Sequence, residues 1–323
     1  MKRLEARLCN SVGAIALVLP GFSMVRGRRT VDVNDHPDTE GRCKYKEPQM
    51  KITTLVENTV YRASLRAEHG VAMLIEADGR RILFDTGQSG EVLLENSNAM
   101  GIDLRKVDAL VLSHGHYDHT GGIRALSALI DSVDTYGHSD LFNNKWAKTR
   151  DTERYIGIPV SRQAMSGWGF RLRLSKEPEQ VSESVRTTGE IPRVTEFETI
   201  ESRLCLREGD NFVQDPLTDD LSLVIRSERG LILVLGCAHS GLVNILKHVH
   251  EMYGEEKIYL VIGGTHLVNA SNARIKKTID TLKDYHVEKI AASHCTGEPA
   301  VISFHEALGD KMISNHVGDV IEI

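Results

Sequence analysis

The sequence predicts an α/β fold, a sandwich of paired sheets with helices on the outer faces. Three observations carry that expectation. From Met50 onward, short continuously aliphatic runs alternate with segments whose apolar residues recur at helical spacing. Several of the aliphatic runs stop abruptly in Gly, Ser, Asp, His or Cys. The two halves also share a strands-then-helix rhythm without an internal repeat. Runs that are aliphatic throughout suit strands covered on both faces.

The elements follow in order. Met50 to Val56 reads as the first strand. Val71 to Ile75 and Arg81 to Phe84 read as a hairpin joined at Asp78-Gly79. A helix is predicted from Gly90 to Asn98 through Val92, Leu93 and Leu94. Ala109 to Leu112 reads as a buried strand, and Ile123, Leu126, Leu129 and Ile130 then fall at the spacing of a buried helix. Residues 139–196 are less regular and read as an insertion packed near the site. Leu221 to Ile225 and Leu231 to Leu235 form a strand pair, and Ile258 to Ile262 is another strand. A helix on Ile275, Ile279 and Leu282, the strand Lys289 to Ala292, a helix from Pro299 to Leu308 and a closing strand near Val317 to Ile323 complete the chain.

The first forty-nine residues read differently. Lys2, Arg3 and Arg7 precede an apolar stretch from Val12 to Val25 that superficially resembles a signal peptide. No small-x-small cleavage site follows, and Pro20-Gly21 breaks the stretch. It is too short for a membrane span. Gly27 to Pro48 is polar and aperiodic. The expectation is a poorly ordered extension over 1–49, a catalytic domain over 50–323 and a cytoplasmic location, with export as the alternative.

Composition excludes little. Of 323 residues 41% are hydrophobic and 26% charged, ordinary for a globular chain. The net charge of -6 and the lack of a Lys/Arg stripe give no sign of a nucleic-acid partner. Five scattered cysteines argue against a disulfide framework. Cys237 and Cys295 each sit beside a histidine at a strand end, so both read either as metal-proximal, reactive thiols or as inert buried ones.

The chemistry concentrates in Ser113-His114-Gly115-His116-Tyr117-Asp118-His119-Thr120-Gly121-Gly122, directly after a strand. Side chains two apart on extended backbone point the same way, so His114 and His116 can share one cation. After the turn at Tyr117, Asp118 and His119 can reach a second. Other strands end similarly: Phe84 in Asp85-Thr86-Gly87-Gln88-Ser89, Leu235 in Gly236-Cys237-Ala238-His239, Ile262 in Gly263-Gly264-Thr265-His266, and Ala292 in Ser293-His294-Cys295-Thr296. Strand ends gathered on one rim build a shared site. His248, His250, His286 and His305 read as surface or cap residues. His36 and His69 have no supporting neighbours, and His138 is ambiguous.

His114-x-His116-x-Asp118-His119 resembles the signature of the metallo-β-lactamase-fold superfamily, and the resemblance spans nearly everything after Met50. It implies an αββα sandwich of two mixed sheets. It makes Asp85 the aspartate that supports the metal loop and His294 the late histidine on the second metal. The chain departs from the common pattern where Asp219-Asp220 stand in place of a histidine before Leu221. Cys237 also occupies the place of the usual bridging aspartate. His239 is then the candidate for the missing ligand of the first metal, and Cys237 and Asp220 are candidates for metal contact or support. Asp85-Thr86-Gly87-Gln88, Gly236 to Gly241, Gly264 to Leu267, Ser293 to Gly297 and Thr188 to Arg193 together resemble the branch related to 7,8-dihydropterin-6-methyl-4-(β-D-ribofuranosyl)aminobenzene-5′-phosphate synthase.

The resemblance therefore implies two divalent cations, one on His114, His116 and His239 and one on Asp118, His119 and His294. Zinc is the default and iron or manganese the alternatives. Zinc lowers the pKa of bound water to about 7, which leads to a hydrolase acting on an ester, phosphoester or lactone. Transfer of a dihydropterin-methyl group with loss of pyrophosphate is the alternative, and a non-catalytic binding or sensing protein the second. Asp118 is a candidate base and His266 a candidate substrate-facing acid. Gln88, Ser89 and Thr296 are candidate contacts to a small-molecule, phosphate-containing substrate.

Overall fold

The structure, a computed structural model, describes residues 50–323. The expectations for residues 1–49 lie outside the described residues. Two mixed sheets pack face to face. The larger runs Val320–Glu322, Met50–Val56, Ala72–Ala77, Arg80–Phe84, Ala109–Val111, Val133–Gly137, Phe170–Leu174. Its first strands pair antiparallel and its last four parallel. The smaller runs Lys289–Ser293, Ile258–Gly264, Gly230–Leu235, Ser222–Ser227, Val185–Thr187, with the first three parallel.

Burial explains why these strands read as unbroken aliphatic runs. Met73, Ile75, Ile82, Phe84 and Val111 face Leu223, Ile225, Ile232, Val234 and Ile262 across the inter-sheet core. Their neighbours Leu74, Leu83 and Leu110 point the other way, under the helices Glu91–Ala99 and Ile123–Leu126. Leu233, Leu235 and Val261 do the same under Leu242–Tyr253, Asn272–Asp284 and Glu298–Leu308. Each of these central strands thus buries both faces. Among the described residues, no helix is long and apolar enough to cross a membrane.

The Asp78-Gly79 turn has φ 54° and 68° at its two central residues, the left-handed pair that a two-residue hairpin requires. The helix expected from Ile123 to Ile130 is a correction. Only Ile123–Leu126 is helical, and Leu129 is 37% exposed, because the chain turns at Ser127 to enter Val133–Gly137.

Residues 139–196 are woven into the sheets. Phe170–Leu174 and Val185–Thr187 close edges of the two main sheets. Lys145–Lys148 and Glu153–Tyr155 pair with Leu204–Glu208 and Asn211–Gln214 in a third, four-stranded antiparallel sheet. That sheet lies against the histidine loop: Tyr117 N–H donates to Ile156 O at 3.0 Å. The buried Lys145 ammonium donates to Asp215 Oδ2 at 2.9 Å and Asp219 Oδ1 at 2.8 Å. Asp219 Oδ2 in turn accepts the Gly115 N–H at 2.8 Å, between His114 and His116. Burial opposes the lysine charge, and the two carboxylates outweigh it.

Candidate metal centre

Parallel strands from both main sheets deliver their carboxyl ends to one rim, where ligands collect in open α/β folds. Arg80–Phe84 ends in Asp85, Ala109–Val111 in the histidine loop, Gly230–Leu235 in Cys237 and His239, Ile258–Gly264 in His266, and Lys289–Ser293 in His294. Four non-glycine residues at these ends hold left-handed backbone: Asp85, Ala238, His266 and His294, with φ 57°, 56°, 47° and 50°. Each costs roughly 1–2 kcal/mol, so the surrounding hydrogen bonds must hold it.

Asp85 organises the loop. Its Oδ1 accepts the Ser113 N–H at 2.7 Å. Its Oδ2 accepts Ser113 Oγ–H and the His119 Nδ1–H, both at 2.7 Å. Ser113 Oγ also lies 2.8 Å from His114 Nδ1. The two imidazoles are therefore held by Nδ1 and present Nε2 inward, as in carboxylate–histidine–metal arrangements.

Three nitrogens then converge. His114 Nε2 lies 3.0 Å from His116 Nδ1, and His239 Nε2 lies 3.2 Å from the same atom. A tetrahedral cation with bonds of about 2.0–2.1 Å needs donor separations of about 3.3 Å, so the spacing fits one. Burial pulls all three imidazoles well below the ordinary histidine range, His116 to about 3. They are neutral, as metal donors must be.

A second set gathers at Asp118. Its Oδ2 stands 3.5 Å from His294 Nε2 and 3.7 Å from His119 Nε2. His294 Nδ1 faces Asn58 Oδ1 at 2.9 Å, and its buried Nε2 has no hydrogen-bond partner. Burial works against ionised Asp118, yet His119, His294 and His69 hold its carboxyl well below the usual range. Burial likewise opposes His119, but Asp85 and Asp118 outweigh it and raise the ring to about 9, so a cation binding at Nε2 would have to displace a proton there. The orphaned His294 Nε2 and this density of inward donors fit a second cation.

The remaining candidates divide. Cys237 Sγ lies 3.2 Å from His119 Nε2 and shares groupings with His114, with His239 and His266, and with His294 and Cys295. It stands between the two donor sets. The His266 ring lies 4.2 Å from the His239 ring, tilted by 54°, with Nε2 3.2 Å from Glu201 Oε1. Asp220 instead holds the Ser240 N–H at 2.8 Å, and burial pushes its carboxyl up to about 6. It supports the His239 loop and belongs to no grouping of donors.

Gln88, Ser89 and Thr296 are not brought to the cleft. The Gln88 and Ser89 N–H groups donate to Glu68 Oε1, and Ser89 Oγ accepts from Val92 N at 3.4 Å at the start of a helix. Thr296 is fully buried against Thr265. A polar group after a strand can serve the backbone as readily as a substrate.

The cleft over the donors has a volume of about 180 Å³. It is lined by His69, His116, Asp118, Cys237, His239, His266, His294 and Cys295 together with Asn58, Tyr117, Arg154, Ile156, Arg203, Leu204 and Val268. Grooves of about 400 Å³ around Tyr285 and 580 Å³ around Leu104 are larger but carry no donor grouping among the described residues. Sequence reasoning missed Arg154, Arg203, Lys145 and His69. All lie in loops or short strands without an apolar period to frame them.

Comparison with known proteins follows this geometry. Residues 65–294 match the model of the metallo-beta-lactamase superfamily. The chain is 34% identical over 289 residues to the 7,8-dihydropterin-6-methyl-4-(beta-D-ribofuranosyl)-aminobenzene-5'-phosphate synthase of Methanocaldococcus jannaschii, covering 86% of this chain and 98% of that protein. An uncharacterised protein of the same organism is 33% identical over 274 residues, covering 84% of this chain and 100% of its own length. Among solved structures, a metal-dependent hydrolase of the beta-lactamase superfamily superposes with a TM-score of 0.74 at 26% identity, over 85% of this chain and 99% of that one.

Proposed function

The chain belongs to the metallo-beta-lactamase superfamily, and from that premise we propose that it is a hydrolase dependent on two divalent cations, acting on a phosphoester or related ester. The observation that carries the reading is the convergence of His114, His116 and His239 beside Asp118, His119 and His294 under one cleft. The first three would hold one cation and the second three the other, with Cys237 between them. Imidazole-rich donors suit zinc, with iron and manganese as alternatives. Such cations supply Lewis acidity and an activated water.

The chain's own residues do the rest. Asp85 fixes His119 in the tautomer that leaves Nε2 free. His266, paired with Glu201 at the cleft wall, is placed to give a proton to a leaving group. Asp118, its carboxyl held well below the usual range by His119, His294 and His69, would serve the second cation as a ligand more than as a base. At the rim, Arg154 donates to Tyr117 Oη at 3.3 Å and has no carboxylate partner among the described residues. Arg203 lines the same cleft beside Glu201. Arg203 is ion-paired with Glu201, which leaves the Arg154 guanidinium to favour a phosphate-bearing small molecule.

A second reading, transfer of a dihydropterin-methyl group with pyrophosphate leaving, is favoured by the 34% identity to the synthase along 98% of its length. One experiment separates the two. Zinc-loaded protein is incubated in ¹⁸O-water with phosphodiesters, lactones, and a dihydropterin-methyl diphosphate together with the aminobenzene ribofuranosyl phosphate. Mass spectrometry reads the products. Incorporation of ¹⁸O supports hydrolysis, and a coupled pterin product with pyrophosphate supports transfer. Turnover that survives His116→Ala with no bound metal refutes both.

A further inference from the structure

The segment Glu68-His69-Gly70 precedes Ala72–Ala77 and lies in no helix or strand, yet Glu68 is tied to the loop after Asp85, and His69 and Gly70 to the second donor set. Glu68 Oε1 accepts the backbone N–H groups of Gln88 and Ser89 at 3.1 and 3.2 Å. Gly70 has φ 144°, and a Cβ there would stand 2.4 Å from the Asp118 carbonyl oxygen, so only glycine allows this approach. The Gly70 N–H donates to Asn58 Oδ1 at 3.2 Å, the same oxygen that faces His294 Nδ1 at 2.9 Å. Between these anchors, His69 Nε2 is delivered to 3.2 Å from Asp118 Oδ2, and its ring lies 5.0 Å from that of His294.

A solvated loop histidine needs none of this framework. Asp118 Oδ2 is a hub with His69 at 3.2 Å, His294 at 3.5 Å and His119 at 3.7 Å. A four-coordinate cation with bonds of about 2.0–2.2 Å holds its donors about 3.3–3.6 Å apart. The donor atoms of His69, Asp118 and His294 all lie within 4.8 Å of one another. We propose that His69 is a ligand of the second cation, joining Asp118 and His294 from a loop outside the histidine cluster, while His119 approaches the set through Asp118 at 3.7 Å. The proposal rests on the two-cation reading above. It gives the second site two imidazoles and one carboxylate whose donor atoms all lie within 4.8 Å of one another.

The test is metal binding. Wild type, His69→Ala, His69→Gln and, as a control for the first site, His116→Ala are loaded with zinc and with cobalt. Metal content is read by mass spectrometry and coordination by cobalt absorption. Wild type is expected to hold two equivalents. Both His69 variants are expected to keep one and to bind the second roughly tenfold or more weakly, with loss of the cobalt bands of that site. Two equivalents with an unchanged cobalt spectrum in both variants overturn the assignment and leave His69 as an ion-pair partner of Asp118. A single equivalent in wild type, lost in His116→Ala and unaffected by His69→Ala, refutes the two-cation reading and the assignment with it.

Discussion

Lys145→Met separates a charge from its shape. Methionine keeps most of the aliphatic volume beside Gly115 and removes only the ammonium, leaving Asp215 and Asp219 buried and facing each other without a cation. Breaking a buried ion pair from one side costs about 3–5 kcal/mol. For a domain of this size each kcal/mol moves the melting temperature by about 2–4 °C, which gives a fall of about 6–20 °C. Because Asp219 also holds the Gly115 N–H at 2.8 Å, the displaced carboxylate should loosen the turn between His114 and His116. Thermal melts of metal-free protein read the first effect, and zinc titration at the first site reads the second. Neutralising the set, with Asp215→Asn and Asp219→Asn added, should recover more than half of the loss, since a buried triad contributes little beyond a neutral replacement. A fall smaller than about 2 °C, or a triple variant as unstable as the single one, refutes the account of Lys145 as the pin between the third sheet and the metal loop.

The other predictions concern the same frame. Asp85→Asn removes the oxygen that accepts from both Ser113 Oγ and His119 Nδ1, and zinc affinity by calorimetry should fall about 10–100-fold. Gly115→Ala would place a Cβ 2.2 Å from the Leu141 carbonyl oxygen, so the variant should lose first-site metal while keeping its far-ultraviolet circular dichroism. Glu198→Ala uncaps Leu242–Tyr253, where Oε1 and Oε2 accept the Val243 and Asn244 N–H groups at 2.9 Å. It should cost about 1–2 kcal/mol in a denaturant melt with metal content unchanged. Chelation should lower the melting temperature and zinc restore it, by about 2.7 kcal/mol per site at a hundredfold excess over the dissociation constant.

The two main sheets and the histidine cluster were legible because each rests on local pattern. Unbroken aliphatic runs such as Leu231 to Leu235 declare strands buried on both faces, and His114-x-His116 declares side chains on one side of extended backbone. The third sheet was not legible. Its strands are three to five residues long and carry Lys145, Arg154 and Arg207 among their apolar positions. Phe170–Leu174 does alternate, but it is five residues long and sits within the otherwise aperiodic stretch 139–196. His69 was passed over because its partners, Asn58, Asp118 and His294, are distant in sequence and only the Gly70 backbone brings them near. Ser89 and Thr296 misled for the opposite reason: their surroundings resemble site loops, while their hydroxyls serve the backbone or another threonine.

The left-handed turns at Asp85, Ala238, His266 and His294 have a consequence for how such a centre changes over generations. The path of the chain near these strand ends is set by backbone conformation and by hydrogen bonds from backbone N–H groups to Asp85, Asp220 and Glu57, and so does not depend on which donor atom sits at a tip such as position 237. Exchanging one tip for another, a thiol for a carboxylate at Cys237 for instance, alters the hardness of the donor set without rebuilding the frame. Cys237, whose thiol lies between the two donor sets, is the position where such an exchange is expected to reach both at once.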